Sequence, residues 1–145
     1  MKITKITMIK KFAVLLFAFV LFSCEDNTQI NDCFTGVNLN EVLNTRLPGY
    51  QTLTINGTSK TYSINGRSIF IIRNNASNFI AFDLECPDRS CNTPLDISNL
   101  PTVTCSCHNK SYNYLEGGRL IGEEGCGMLM YTVNLIGNDA IQIRN

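Results

Sequence analysis

Six cysteines in about 120 residues constrain this chain more than any other feature, and four of them fall in two short clusters. The first cluster reads Cys86-Pro87-Asp88-Arg89-Ser90-Cys91 and the second Cys105-Ser106-Cys107-His108. Each follows a strand-like run: Phe79 to Leu84 before the first, and Pro101 to Thr104 before the second. Loops that carry thiols at their tips can close around a metal or be pinned together by a disulfide. The remaining two, Cys33 and Cys126, lie far from the clusters in sequence. Six thiols allow fifteen pairings, so the sequence alone does not fix the connectivity.

A seventh cysteine, Cys24, belongs to a different feature. Lys2, Lys5, Lys10 and Lys11 precede an unbroken apolar run from Phe12 to Phe22. That run has the length of a signal-peptide core and is too short to span a bilayer as a helix. It ends in Leu21-Phe22-Ser23-Cys24, which resembles a bacterial lipobox, where cleavage precedes the cysteine and the new N-terminus is lipidated. Residues 1–23 are thus expected to be a lipoprotein signal peptide. Residues 24–49 would hold the lipidated Cys24, a tether and an N-terminal segment, and residues 50–145 the domain. The expected location is a bacterial cell envelope, with the protein anchored to a membrane and facing the periplasm or the cell surface. Export also favours disulfides over metal for the six remaining thiols.

The leader contains four of the twelve basic residues and none of the twelve acidic ones, so the rest of the chain is net acidic. Without a basic patch, nucleic acid is not an expected partner.

From residue 50 onward the pattern is β. Short alternating runs at Gln51–Ile55 and Thr61–Ile64 are punctuated by Asn56-Gly57 and Asn65-Gly66. Ser68–Arg73 and Asn78–Leu84 flank a turn at residues 74–77, and Met130–Leu135 and Ala140–Ile143 flank another at 136–139. These read as hairpins. Asp32 to Tyr50 has apolar residues at uneven spacing and closes on Pro48-Gly49. No stretch sustains a helical period, so the expected fold is all-β, a sandwich or barrel of short antiparallel strands. The loop glycines are followed by no phosphate-cradling motif. One histidine and no Ser/His/Asp or Cys/His set give no indication of catalysis.

Read together, the clusters give Cys86-x-Asp88, sixteen residues, then Cys105-x-x-His108. This resembles the Rieske [2Fe–2S] domain family, whose pattern is Cys-x-His and then Cys-x-x-His. There the cysteines hold one iron and the histidines the other. The resemblance extends to the hairpin before the first loop, to Tyr112-Asn113-Tyr114 with Gly117-Gly118, and to the closing strand at Met128–Val133. It implies a Rieske-like antiparallel β sandwich or barrel with a two-loop subdomain of the cluster-binding type, and a role in electron transfer. Position 88 departs from the pattern, holding Asp where the family has His, and His108 is the chain's only histidine.

Three arrangements of Cys86, Asp88, Cys105 and His108 follow. They could hold a variant [2Fe–2S] cluster and carry electrons. They could hold a tetrahedral Zn²⁺, which accepts sulfur, nitrogen and oxygen donors together. Or Cys86 and Cys105 could pair as a disulfide, giving a cluster-free binding or scaffold module. In all three the resemblance implies a disulfide between Cys91 and Cys107, which clamps the two loops in the family's respiratory-chain members. Cys33 and Cys126 are then left to pair, joining the N-terminal segment to the loop before the last hairpin.

Overall fold

The computed structural model describes residues 32–145. The expected leader, the anchor at Cys24 and the start of the tether lie outside them. Nine strands and three short 3₁₀ turns make up the described chain. Every strand pairing is antiparallel. One sheet has six strands: β1 (Asn40–Asn44), β2 (Thr58–Ile64), β3 (Arg67–Arg73), β4 (Phe79–Asp83), β8 (Met130–Ile136) and β9 (Ala140–Arg144). Their spatial order is β1-β9-β8-β4-β3-β2. A second sheet of three strands contains β5 (Thr102–Cys105), β6 (Lys110–Asn113) and β7 (Arg119–Leu120), in that order. The fold is therefore all-β, as the turn dipeptides and alternating runs imply.

The Asn65-Gly66 turn joins β2 to β3 with both residues at positive φ (50° and 76°). That is the type I′ geometry matching the twist of a two-residue hairpin, and Asn-Gly is its preferred sequence. In the next hairpin, Asn75 Oδ1 accepts hydrogen bonds from the backbone N–H groups of Ser77 and Asn78 at 3.0 and 2.9 Å. The side chain closes the turn where the chain offers no glycine.

One expectation is corrected, and a segment that the sequence leaves open is assigned. Gln51–Ile55 is not a strand, because Pro48–Thr54 forms a 3₁₀ helix with proline in its first turn. Proline fixes φ near the helical value, and the turn carries Leu53 into the core. Conversely, the uneven segment before residue 50 supplies β1, which pairs with β9 along its whole length. The sheet thus reaches N-terminal of the turn at residues 48–49. Only Leu43 of β1 is buried, so its apolar pattern was too sparse to read as a strand.

The run Ile69-Phe70-Ile71-Ile72 in β3 is buried on both faces. Ile69 and Ile71 join one core with Leu39, Leu53, Tyr131, Ile141 and Ile143. Phe70 and Ile72, with Phe82 of β4, face a second core formed by Val103, Tyr112, Leu120, Met128 and the cysteine loops. This double burial explains a continuous apolar run where a half-exposed strand would alternate. It also seats the three-stranded subdomain on β3 and β4 of the large sheet.

Candidate functional site

The first cysteine loop leaves β4 and the second joins β5 to β6, so both tips arise from the subdomain end of the fold. Their bases are fixed by backbone pairing. Leu95 N–H donates to Leu84 O at 2.7 Å, and Asp96 and Thr104 exchange hydrogen bonds of 2.8 and 2.9 Å. Within the first loop, Arg89 N–H donates to Cys86 O at 2.8 Å, with Arg89 at positive φ. Ser90 N–H and Oγ–H both donate to Asp88 Oδ1 at 3.2 Å.

The structure brings Cys86, Asp88, Cys105 and His108 together in two pairs. Cys86 and Cys105 are bonded to each other as a disulfide, with Cα atoms 5.9 Å apart. Both are buried, at 0% and 1% exposure. At the rim, Asp88 Oδ2 is 2.8 Å from His108 Nε2, and Ser90 Oγ is 2.9 Å from the same nitrogen. Cys91 and Cys107 form a second disulfide between the same loops, again with Cα atoms 5.9 Å apart. Cys33 and Cys126 form a third, spanning 93 residues. Among the described residues, the sulfurs of Cys86, Cys91 and Cys105 lie within 4.8 Å of one another. All three are held in disulfides.

A network beneath the first loop escaped the sequence reading. Asp83, the last residue of β4, is 1% exposed. It receives hydrogen bonds from Tyr131 Oη at 2.5 Å and from Arg67 Nε. Its other oxygen accepts from Glu85 N–H at 2.8 Å. Arg67 also binds Glu85 through Nη2, and Arg89 Nε reaches Glu85 at 3.3 Å. Burial, with Asp83 beside it, holds the Tyr131 phenol above its ordinary pKa. Arg67 loses solvation, but its bonds to Asp83 and Glu85 outweigh that loss and raise its pKa. This network fixes the exit of β4 at Asp83, three residues before Cys86. Its one sequence signal was an aspartate between Phe82 and Leu84, inside an apolar run.

The glycine turn after β6 is set by close approach. At Gly118, with φ of +79°, a Cβ would lie 2.7 Å from Met128 Cβ and 3.1 Å from the Phe82 ring. Met128 N–H donates to Gly118 O at 2.8 Å, drawing the segment before β8 against the subdomain. Tyr112, opposite Val103, is buried in the same core, and burial together with the charges of Asp88 and Glu123 pushes its pKa up to about 12.

The family model for the Rieske [2Fe-2S] domain matches residues 47–130. The chain belongs to the Rieske [2Fe–2S] domain family, a fold used for electron transfer. No curated protein matches the sequence. Among solved structures, one similar chain is described as a small subunit of an NADPH nitrite reductase. It is 14% identical, with 61% of this chain and 87% of that one covered and a TM-score of 0.38. Another is described as an NADH-dependent nitrite reductase small subunit from Mycobacterium tuberculosis. It is 10% identical, covers 75% of this chain and 96% of that one, and has a TM-score of 0.44.

A Rieske cluster takes two thiolates on one iron and two imidazoles on the other. Here the two sulfurs at the thiolate positions are bonded to each other, and a carboxylate stands at one imidazole position. Arg89, beside it, cannot serve, because a guanidinium does not deprotonate in proteins. As disposed in this structure, the residues do not fit the [2Fe–2S] group.

Proposed function

We propose that this chain is a cell-envelope lipoprotein, anchored through Cys24, whose Rieske domain works without a cluster as a disulfide-braced binding or scaffold module. The observation that carries the reading is the buried Cys86–Cys105 disulfide at the family's first-iron position. Support also comes from the second-iron position, where Asp88 and His108 satisfy each other directly. The lysine-only leader agrees with this. Clusters are assembled in the cytoplasm, and general secretion delivers an unfolded chain into a compartment that favours disulfides.

The deciding experiment is metal and sulfide analysis, with a visible spectrum and thiol count, on protein purified anaerobically from its native envelope. A colourless protein without metal and with all six domain thiols oxidised is the expected result. About two irons and two sulfides per chain, lost on Cys105→Ser, would overturn it in favour of a variant electron-carrying cluster on Cys86, Cys105, Asp88 and His108. One zinc without sulfide would overturn it in favour of a tetrahedral site on the same four residues. The anchor is tested separately. Mass analysis of the mature N-terminal peptide should find an acylated Cys24 at its first position, and an unmodified Cys24 would refute lipidation there.

A further inference from the structure

Two disulfides whose sulfurs lie this close together need not be independent. Cys86, Cys91 and Cys105 have their sulfurs within 4.8 Å of one another, yet they belong to two different bridges. The fourth sulfur differs in its access. Cys107 is exposed, whereas Cys91 is 6% exposed and Cys86 and Cys105 are sealed from solvent. An external thiolate therefore meets the pair of bridges at Cys107. Attack there makes Cys91 the leaving group, and Cys91 is released beside the second bridge.

A hydrogen-bond donor already faces that leaving sulfur. Thr93 Oγ1 lies 3.0 Å from Cys91 Sγ, 3.6 Å from Cys107 Sγ and 2.9 Å from Ser106 Oγ. A disulfide sulfur has no proton to give, so the Thr93 hydroxyl donates to it and Ser106 donates to Thr93. The same hydroxyl would stabilise the negative charge that Cys91 acquires when its bridge opens.

We propose that the two bridges form a thiol–disulfide relay that accepts two electrons from an external dithiol, a function resting on the cluster-free reading above. One thiolate of the dithiol attacks Cys107 Sγ; the Cys91–Cys107 bond breaks and its electron pair leaves on Cys91. The dithiol's second thiolate attacks its own sulfur in the mixed disulfide, so the dithiol departs as a disulfide and Cys107 is freed as a thiol. The Cys91 thiolate attacks Cys86 or Cys105, forming a new bridge to that residue and expelling the other as a thiol. The dithiol is oxidised by two electrons, its two protons end on two cysteines, and one exchanged bridge remains. The domain then passes electrons in pairs through sulfur.

The test uses the full oxidised chain, treated with one equivalent of dithiothreitol, acid-quenched, alkylated with N-ethylmaleimide and mapped without reduction. The expected product carries label on Cys107 and on either Cys86 or Cys105, with a peptide joining Cys91 to the other. If every singly reduced molecule is labelled at Cys91 and Cys107 with Cys86–Cys105 intact, the bridges are independent and the relay is wrong. In Cys91→Ser protein, reduction of Cys86–Cys105 should slow by about tenfold or more, and an unchanged rate also overturns the relay. Mapping before any reductant separates the two readings. Label on Cys86 and Cys105 at that stage sinks the cluster-free reading and the relay with it. Bridged cysteines that never exchange sink the relay alone.

Discussion

His108 Nε2 and Asp88 Oδ2 meet 2.8 Å apart across the gap between the two loops, at the rim above the buried Cys86–Cys105 bridge. Both side chains are partly open to solvent, and contacts of this kind are worth at most about 1 kcal/mol. His108→Ala and Asp88→Ala should each shift the urea midpoint by an amount corresponding to about 1 kcal/mol or less. A loss of several kcal/mol, the mark of a ligand to a structural metal, would contradict this.

Stability should respond to thiols and be indifferent to chelators. An excess of EDTA is expected to leave the melting temperature unchanged, whereas prolonged incubation with a dithiol should lower it steeply. The Cys33–Cys126 bridge closes the longest loop, and for a separation of 93 residues chain entropy sets an upper figure of about 4–5 kcal/mol. A Cys33→Ala/Cys126→Ala double variant should approach that loss in denaturant unfolding. A loss below about 1 kcal/mol would mean that native strain or structure in the unfolded chain cancels the bridge.

Removing the buried carboxylate at position 83 should be more damaging than any change at the rim. Asp83→Asn leaves Arg67 without its buried counter-charge and Tyr131 with a weaker acceptor, at a cost on the order of 3 kcal/mol. Tyr131→Phe should cost less, about 1–2 kcal/mol, because it removes one donor and no charge. Equal losses for the two, measured by equilibrium unfolding, would mean that Arg67 contributes nothing to the network.

Alkaline stability follows from Tyr112. Its folded pKa is pushed up to about 12, above an ordinary value of 10.0. Below pH 10 both folded and unfolded states hold the proton and its contribution is complete. Above pH 10 the unfolded state releases the proton first, so stability falls as pH rises towards about 12. Tyr112→Phe should flatten the fall in unfolding free energy between those values, while an unchanged slope would assign the fall to other groups.

How legible the sequence was depended on whether a feature was local. Asn65-Gly66 and the 74–77 turn announced their hairpins because the turn chemistry lies within a few residues. The spacing of Cys86 and Cys105 and the flanking strands announced the family for the same reason. β1 was not legible, since its partner β9 lies at the other end of the chain and it buries only Leu43. The Gln51–Ile55 alternation misled because Pro48 starts a 3₁₀ turn that alternation cannot reveal. At the site, the residue types were evident but their state was not. Whether Cys86 faces a metal or Cys105 depends on tertiary placement, and the Asp83–Tyr131 contact joins residues 48 apart.

The Cys33–Cys126 bridge also sets how the molecule bears load. A pull on the chain upstream of Cys33 passes through sulfur directly into Cys126 and on to β8 and β9. Everything between the two cysteines, including both loops of the site, lies inside a covalent ring and cannot be drawn out lengthwise. Tension could peel away the closing hairpin while the site itself stayed mechanically slack.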